Sequence, residues 1–372
     1  MDSLNLALKE RRRHGNLREL KIISGVDFCS NDYLGLAQHP LEISTRASGS
    51  TGSRLISGHD DALERLEARI STFHGCEAAL LFSSGYAANT GLLACIAGRD
   101  DAIVSDELIH ASLIDGIRLS YARRERFSHN DLSDLEAKLK VISAEITGQI
   151  YVVVEALYSM DGDRAPLLDI STLCRHFNGA LIVDEAHSVA VYGDKGRGLV
   201  CELGLQEHVF AVVHTFGKGP GYHGAAIVGS RTLRDYLVNF CRPFIYTTAP
   251  SPQTVAETDA AYTRFQHADD QREALRSVLT YFESHVKSPA LNGAHWLPSD
   301  SAIQGLVIPG NERAKACADF LQKNGFAVKA ILSPTVANGA ERLRISLHSF
   351  NTRGEMDKLA SCLVDHLNKG AS

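Results

Sequence analysis

From about residue 60 to residue 240 the chain alternates short, β-branched apolar runs with longer helical patterns, and no other feature restricts its fold as strongly. The runs are "AALLF" (78–82), "AIVSD" (102–106), "QIYVVVEAL" (149–157), "GALIVDEAH" (179–187), "VFAVVHTF" (209–216) and "GAAIVGS" (224–230). Each is nearly continuous in apolar residues, which suits strands buried on both faces, so they predict a mainly parallel sheet flanked by helices. In such α/β folds ligands gather at the carboxyl ends of the strands.

After about residue 255 the character changes. Charged helical stretches such as "TRFQHADDQREALRSVLTYFESHV" give way to "AIQGLVIPG", the helical "NERAKACADFLQKNG", the strand-like "ERLRISL" and a closing helix. That order predicts a smaller α+β domain. The expected division is an N-terminal segment (1–40), a large domain (41–255) and a small C-terminal domain (256–372), since 372 residues exceed what one core ordinarily serves.

Composition narrows the classes of function. A net charge of −6, with 22% charged and 44% hydrophobic residues, fits a globular protein and argues against a nucleic-acid groove or an anionic membrane as the main partner. Any anionic ligand must then be held by a local site. The eight cysteines stand singly, with no CxxC and no zinc spacing, and read as reduced thiols of a cytoplasmic protein with no metal site. The N-terminal "MDSLNLALKERRRHGNL" lacks the apolar core of a signal peptide and reads as a solvated amphipathic helix. No apolar run approaches the roughly 20 residues of a membrane span.

The stretch "HTFGKGPGYHG" (214–224) sets one lysine, Lys218, among glycines. A Walker phosphate cradle would need a hydroxyl residue after the lysine, where Gly219 stands. A dinucleotide fingerprint matches Gly219, Gly221 and Gly224 formally, but it should open a helix and here it leads into a strand pattern. The third reading makes Lys218 a Schiff-base lysine for pyridoxal 5′-phosphate. That chemistry asks for a carboxylate at the pyridine nitrogen, an anion pocket for the phosphate and a flat group over the ring.

Candidates for each can be found independently. Asp184 ends "ALIVD", where a buried carboxylate needs a cationic partner, a helix cap being the alternative reading. His187 follows three residues later. "SSGYAAN" (83–89) lies between a strand and a helical run, so Ser84, Gly85 and Tyr86 would start a helix and present N–H groups to an anion. Thr215 adds a hydroxyl three residues before Lys218. His110, beyond "AIVSD", is the flat group, with a capping histidine as the alternative.

With these residues assembled, the chain resembles the α-oxoamine synthase family of fold-type I pyridoxal-phosphate enzymes. The shared blocks include "SNDYLGL" (30–36), "GSTGSRLISG" (49–58), "SSGYAAN", "IHASL" (109–113), "YSMDGD" (158–163), "VDEAHSVAVYGDKGRG" (183–198), "HTFGKG", "RPFIYTTAP" (242–250) and "ERLRISL" (341–347), in the family's order along nearly the whole chain. The resemblance implies that Lys218 carries the cofactor, Asp184 pairs with the pyridine nitrogen, His187 and Ser159 contact the ring oxygen, and His110 stacks on the ring. It implies that Gly85, Tyr86 and Thr215 hold the phosphate, that Thr247 or Thr248 reaches the phosphate of the other subunit of a homodimer, that Arg344 binds the amino acid carboxylate and that Asn31 faces the reacting carbon.

Within the family, "SNDYLGL", "YSMDGD" followed by "APL", and "SPTVANGAERLRISLHSFN" look like the biotin-pathway branch, which joins L-alanine to a pimeloyl thioester on CoA or an acyl carrier protein. Other branches use glycine or serine, and an aminotransferase is the more distant alternative. The chain departs from the family in the segment after Lys218 and at Leu63, where a histidine is common. Both departures bear on acyl specificity rather than on the cofactor.

Overall fold

The computed structural model describes residues 2–43 and 48–369. In chain order the strands are β1 (Val26–Asp27), β2 (Ala78–Phe82), β3 (Ala102–Asp106), β4 (Arg123–Phe127), β5 (Ile150–Glu155), β6 (Gly179–Asp184), β7 (Ala211–Thr215) and β8 (Ala225–Gly229). They continue with β9 (His295–Trp296), β10 (Ile303–Val307), β11 (Phe326–Ala327), β12 (Lys329–Ile331) and β13 (Arg342–Ser346). The chain folds as two compact units. The larger comprises Leu34–Tyr158 and Arg164–Asp269; the smaller comprises the residues up to Tyr33, the loop Ser159–Asp163 and the chain from Asp270 onward.

The larger unit is built on a seven-stranded sheet in the order β2-β8-β7-β6-β5-β3-β4. Pairs from β7 through β6, β5 and β3 to β4 are parallel, whereas β8 runs antiparallel to both β7 and β2. This is the α/β fold expected from the apolar runs: β3, β5 and β7 are buried at every position, and β6 between β5 and β7 at its last four. β4, "RRERF", was not among the expected strands: it is an edge strand with one buried residue, Phe127, so it carries no apolar run.

Helices cover the sheet, and those nearest the site begin at polar caps. With α1 assigned to Asp2–Arg13, the helices that matter to the site are α2 (Asp61–His74), α3 (Gly85–Ile96) and α4 (Ala111–Leu119). Asp60, Ser84 and His110 each accept a backbone N–H of the helix they precede, satisfying donors that have no intrahelical partner. Leu92, Leu93 and Leu113 pack with Ile103, Val153 and Val213 in one fully buried cluster, which holds α3 and α4 against the sheet.

The smaller unit carries a four-stranded antiparallel sheet, β12-β13-β10-β9, and a parallel pair, β1 with β11. Helices Asn311–Lys323 and Arg353–Lys369 belong to it. α1 is exposed along its described length from Ser3, in line with a solvated amphipathic helix. Among the described residues no helix is long and apolar enough to cross a membrane.

Candidate active site

Lys218 stands on the tight connection between β7 and β8. Phe216 N donates to Gly224 O at 2.9 Å, Tyr222 N to Phe216 O at 2.8 Å and Gly221 N to Lys218 O at 2.8 Å, so the glycine-rich stretch is a folded turn between antiparallel strands and opens no helix. Gly221 has φ +68°, and a Cβ there would come 2.6 Å from Ala37 N. Only glycine meets both demands. The turn fixes the backbone of Lys218, whose Nζ lies 2.8 Å from His187 Nε2.

Asp184 and His187 follow from the end of β6, at the carboxyl edge of the sheet. Asp184 is 3% exposed; its Oδ1 accepts the Ala186 N–H at 2.9 Å and its Oδ2 accepts Asn89 Nδ2 at 2.7 Å. The first bond closes a local turn, because no helix follows β6 here and the helix cap weighed as the alternative for Asp184 does not form; the second reaches across to α3, so both carboxylate oxygens are held. Next to Asp184 in the β5–β6 register lies Glu155, 2% exposed, whose carboxyl burial and the charge of Asp184 push up to about 8. Two adjacent buried carboxyls resist ionising together, so Glu155 is the one that keeps its proton.

His110 caps α4, as the alternative reading had it, and its ring is partly buried against that helix start. Its Nδ1 lies 2.7 Å from Ser112 Oγ, and Ser112 Oγ receives Asn89 Nδ2 at 3.0 Å. Burial and the nearby Lys218, opposed by Asp184, lower the pKa of His110.

The expected anion site is the N-terminus of α3. Ser84 Oγ accepts Ala87 N at 3.1 Å, which organises the first turn, and Gly85 fits so closely that a Cβ would come 2.4 Å from Thr215 Cγ2. Thr215 is thereby placed against the helix start, with its hydroxyl donating to Ala186 O at 3.4 Å. Tyr86 turns its side chain outward to hydrogen-bond Asp115, so it offers this site its backbone alone. Thr247 and Thr248 are exposed and line a cavity of about 260 Å³ with Arg54, Ser83 and Phe244. Arg54 is buried in a bidentate pair with Glu67, at 2.5 and 3.0 Å.

Three expected residues belong to the smaller unit. Arg344 on β13 donates from Nε to Ser159 O at 2.6 Å, from Nη2 to Asn31 Oδ1 at 2.9 Å and from Nη1 to Ser346 Oγ at 2.8 Å. Residues 313 and 185 positions apart in sequence thus meet on one guanidinium. The sequence reading did not find Asn89, Ser112 and Glu155. Asn89 was within reach, since it ends the quoted block "SSGYAAN" one helical turn beyond the anion site.

An amine on a fixed turn, an oriented carboxylate, and a capped helix start pressed against a threonine are the donor set that pyridoxal 5′-phosphate requires, so the residues present fit this cofactor. Fold and site together define a fold-type I pyridoxal-phosphate-dependent transferase. The chain belongs to the aminotransferase class I and II family, which it matches over residues 23–363, and structures sharing this fold have been solved with the cofactor.

Its relatives are α-oxoamine synthases, as the motifs suggested. The chain is 38% identical to an 8-amino-7-oxononanoate synthase of Marinobacter nauticus, covering 96% of this chain and 94% of that one. The 8-amino-7-oxononanoate synthase of Francisella tularensis aligns with a TM-score of 0.78 at 27% identity, over 94% of this chain and 99% of that one. A serine palmitoyltransferase of Sphingomonas wittichii aligns with a TM-score of 0.81 at 30% identity, over 92% of this chain and 86% of that one.

Proposed function

We propose that this chain condenses L-alanine with a pimeloyl thioester, carried on CoA or an acyl carrier protein, to give 8-amino-7-oxononanoate, CO₂ and the free thiol, and that it does so as a cytoplasmic homodimer. The observation that carries the reading is the near full-length relation, at 38% identity, to synthases of that name. When bound, the cofactor supplies an electron sink for a carbanion at the amino acid Cα.

The chain's own residues divide the remaining work. Lys218 is the amine that anchors the cofactor and then moves the Cα proton, with His187 accepting its hydrogen bond. Asp184, held from both sides, keeps the pyridine nitrogen protonated. His110 covers the ring, and Ser159 and His187 take its oxygen. Ser84, Gly85, Tyr86 and Thr215 hold the phosphate at the start of α3. Arg344 and Asn31 bind and orient the amino acid, a role suited to a guanidinium whose plane is set by three hydrogen bonds.

Thr247 or Thr248 would complete the phosphate site of a second copy. Support comes from the segments around them: Ala249 N donates to Gly52 O at 2.9 Å, which joins 49–58 to 242–250, and those two segments expose Leu55 (52%), Ile56 (84%) and Tyr246 (73%). Large apolar side chains grouped on a surface mark an interface.

The test is product analysis with L-alanine, glycine and L-serine in turn, each with pimeloyl-CoA and pyridoxal phosphate. The reading expects 8-amino-7-oxononanoate, CO₂ and free CoA from alanine. A preference for serine would move the chain toward the serine palmitoyltransferase branch, and a keto acid formed from the amino acid without CO₂ would mean transamination. Lys218→Ala should lower turnover by about a thousandfold or more while the protein still takes up cofactor, read by its visible absorbance.

A further inference from the structure

We propose that Asn89 and Ser112 are positioning residues that hold His110 in its Nε2–H tautomer, so that the histidine presents a single N–H donor to the substrate. The ligand named here rests on the synthase reading; the tautomer does not.

The direction of each hydrogen bond follows from the one before it. Asn89 is 2% exposed, and its amide lies 2.7 Å from Asp184 Oδ2. A carboxylate only accepts, so the amide nitrogen faces it and the oxygen faces away. The second hydrogen of that nitrogen goes to Ser112 Oγ at 3.0 Å. Ser112 is fully buried, and with its oxygen accepting from Asn89 its own hydrogen must go to another acceptor. His110 Nδ1 stands 2.7 Å away and is that acceptor.

A second donor converges on the same atom. The backbone N–H of Ser112 points at His110 Nδ1 from 3.2 Å, the capping bond of α4. Nδ1 therefore carries a lone pair, and the ring proton sits on Nε2. Forming the imidazolium would put an N–H against both donors. α3 and α4 are further tied by Thr90 Oγ1 donating to Ser112 O at 3.2 Å, which keeps the relay in register.

The charges around the ring act in the same sense on balance. Burial and Lys218 disfavour the charged imidazole while Asp184 favours it, and the net direction is down. Glu155, packed near, has its own pKa raised by burial and by Asp184 to about 8 and so keeps its proton through neutral pH, with Asp106 beyond it and His187 at Lys218 the other titratable groups of this cluster. The relay thus joins the carboxylate at the pyridine nitrogen to the histidine over the ring through buried, directional bonds. A neutral Nε2–H is the form that can donate to a substrate carbonyl or carboxylate oxygen without adding a cation beside Lys218.

The experiment is long-range ¹H–¹⁵N correlation of the imidazole resonances of the histidine-labelled holoenzyme, with His110 assigned by loss of its signals in His110→Gln. The wild-type protein is expected to show the Nε2–H pattern for His110 from pH 6 to 9. Ser112→Ala should mix the tautomers, raise the apparent pKa of His110 about tenfold in proton affinity and lower kcat/KM by about 10- to 100-fold, with the cofactor absorbance unchanged; Ser112→Thr, which restores the hydroxyl, should restore all three. An Nδ1–H pattern in the wild-type protein, or a His110 spectrum unmoved by Ser112→Ala, would overturn the proposal. Because the tautomer is read without substrate, an Nε2–H pattern in a protein lacking synthase activity would support the relay while rejecting the substrate reading.

Discussion

At the scale of single residues, two buried carboxyls have chemistry that only their surroundings explain. Besides Glu155 there is Glu185, fully buried beside the strand end, which accepts Val200 N from one oxygen while its other oxygen lies 3.9 Å from His214 Nδ1. Burial pushes its pKa up to about 8. The folded protein thus binds a proton that the unfolded chain releases above pH 4.5, and stability falls as pH rises through that window. Glu185→Gln removes this penalty, so its stability relative to the wild type should rise from pH 5 to 8 by up to a few kcal/mol, each tenfold change in proton affinity being worth about 1.4 kcal/mol; urea midpoints at both pH values measure it. Arg344→Lys tests the other kind of residue. A lysine cannot make the three bonds that set the guanidinium plane, so KM for the amino acid should rise about 10- to 100-fold, while uptake of pyridoxal phosphate, whose proposed ligands lie mostly elsewhere, changes little. The placement of Lys218, Asp184, His187 and His110 was legible because each stands at or just beyond the end of an apolar strand, where the fold must present it. Ser112 was not, since a buried hydroxyl inside a helix carries no sequence signature of the partners it meets, and Asn89, though its place beside the anion site was within reach, gave no sign of its bonds to Asp184 and Ser112.

At the scale of elements, the strands of the large sheet that are buried on both faces were read to within three residues at either end, and the one that was missed explains itself. β4 is an edge strand whose Arg124 and Arg126 are exposed, while Arg123 pairs with Glu125 and Glu145. Charge on an edge strand keeps its unpaired backbone from recruiting another chain. Replacing Arg124 and Arg126 together by Val should leave the fold intact and cause concentration-dependent association, seen as rising light scattering; a monodisperse double variant would show that these arginines have no such role. The turn after β7 shows the reverse case. Its glycines match a dinucleotide fingerprint as a string, and only the pairing of β7 with β8 shows that they shape a hairpin connection around Lys218.

At the scale of the whole molecule, the proposed homodimer with shared sites makes a quantitative prediction. If Thr247 or Thr248 serves the phosphate of the partner, mixing Lys218→Ala subunits with Thr247→Ala, Thr248→Ala subunits, each nearly inactive alone, should restore roughly a quarter of wild-type activity, since about half the dimers are hybrids and each hybrid has one intact site. Recovery absent after verified subunit exchange would place both threonines in their own subunit's site or in none. The sequence by itself determined the fold class, the cofactor chemistry and the residues at the strand ends, because apolar periodicity and strand termini are local properties that burial and backbone geometry translate directly into structure. Only the tertiary structure decided that Asn31 and Ser159 meet at Arg344, that Glu155 lies beside Asp184, and that Asn89 joins Asp184 to His110 through Ser112. Those contacts depend on strand register and helix packing between distant parts of the chain, and a hydrogen bond requires its partners to come within about 3 Å, a condition that no local pattern encodes.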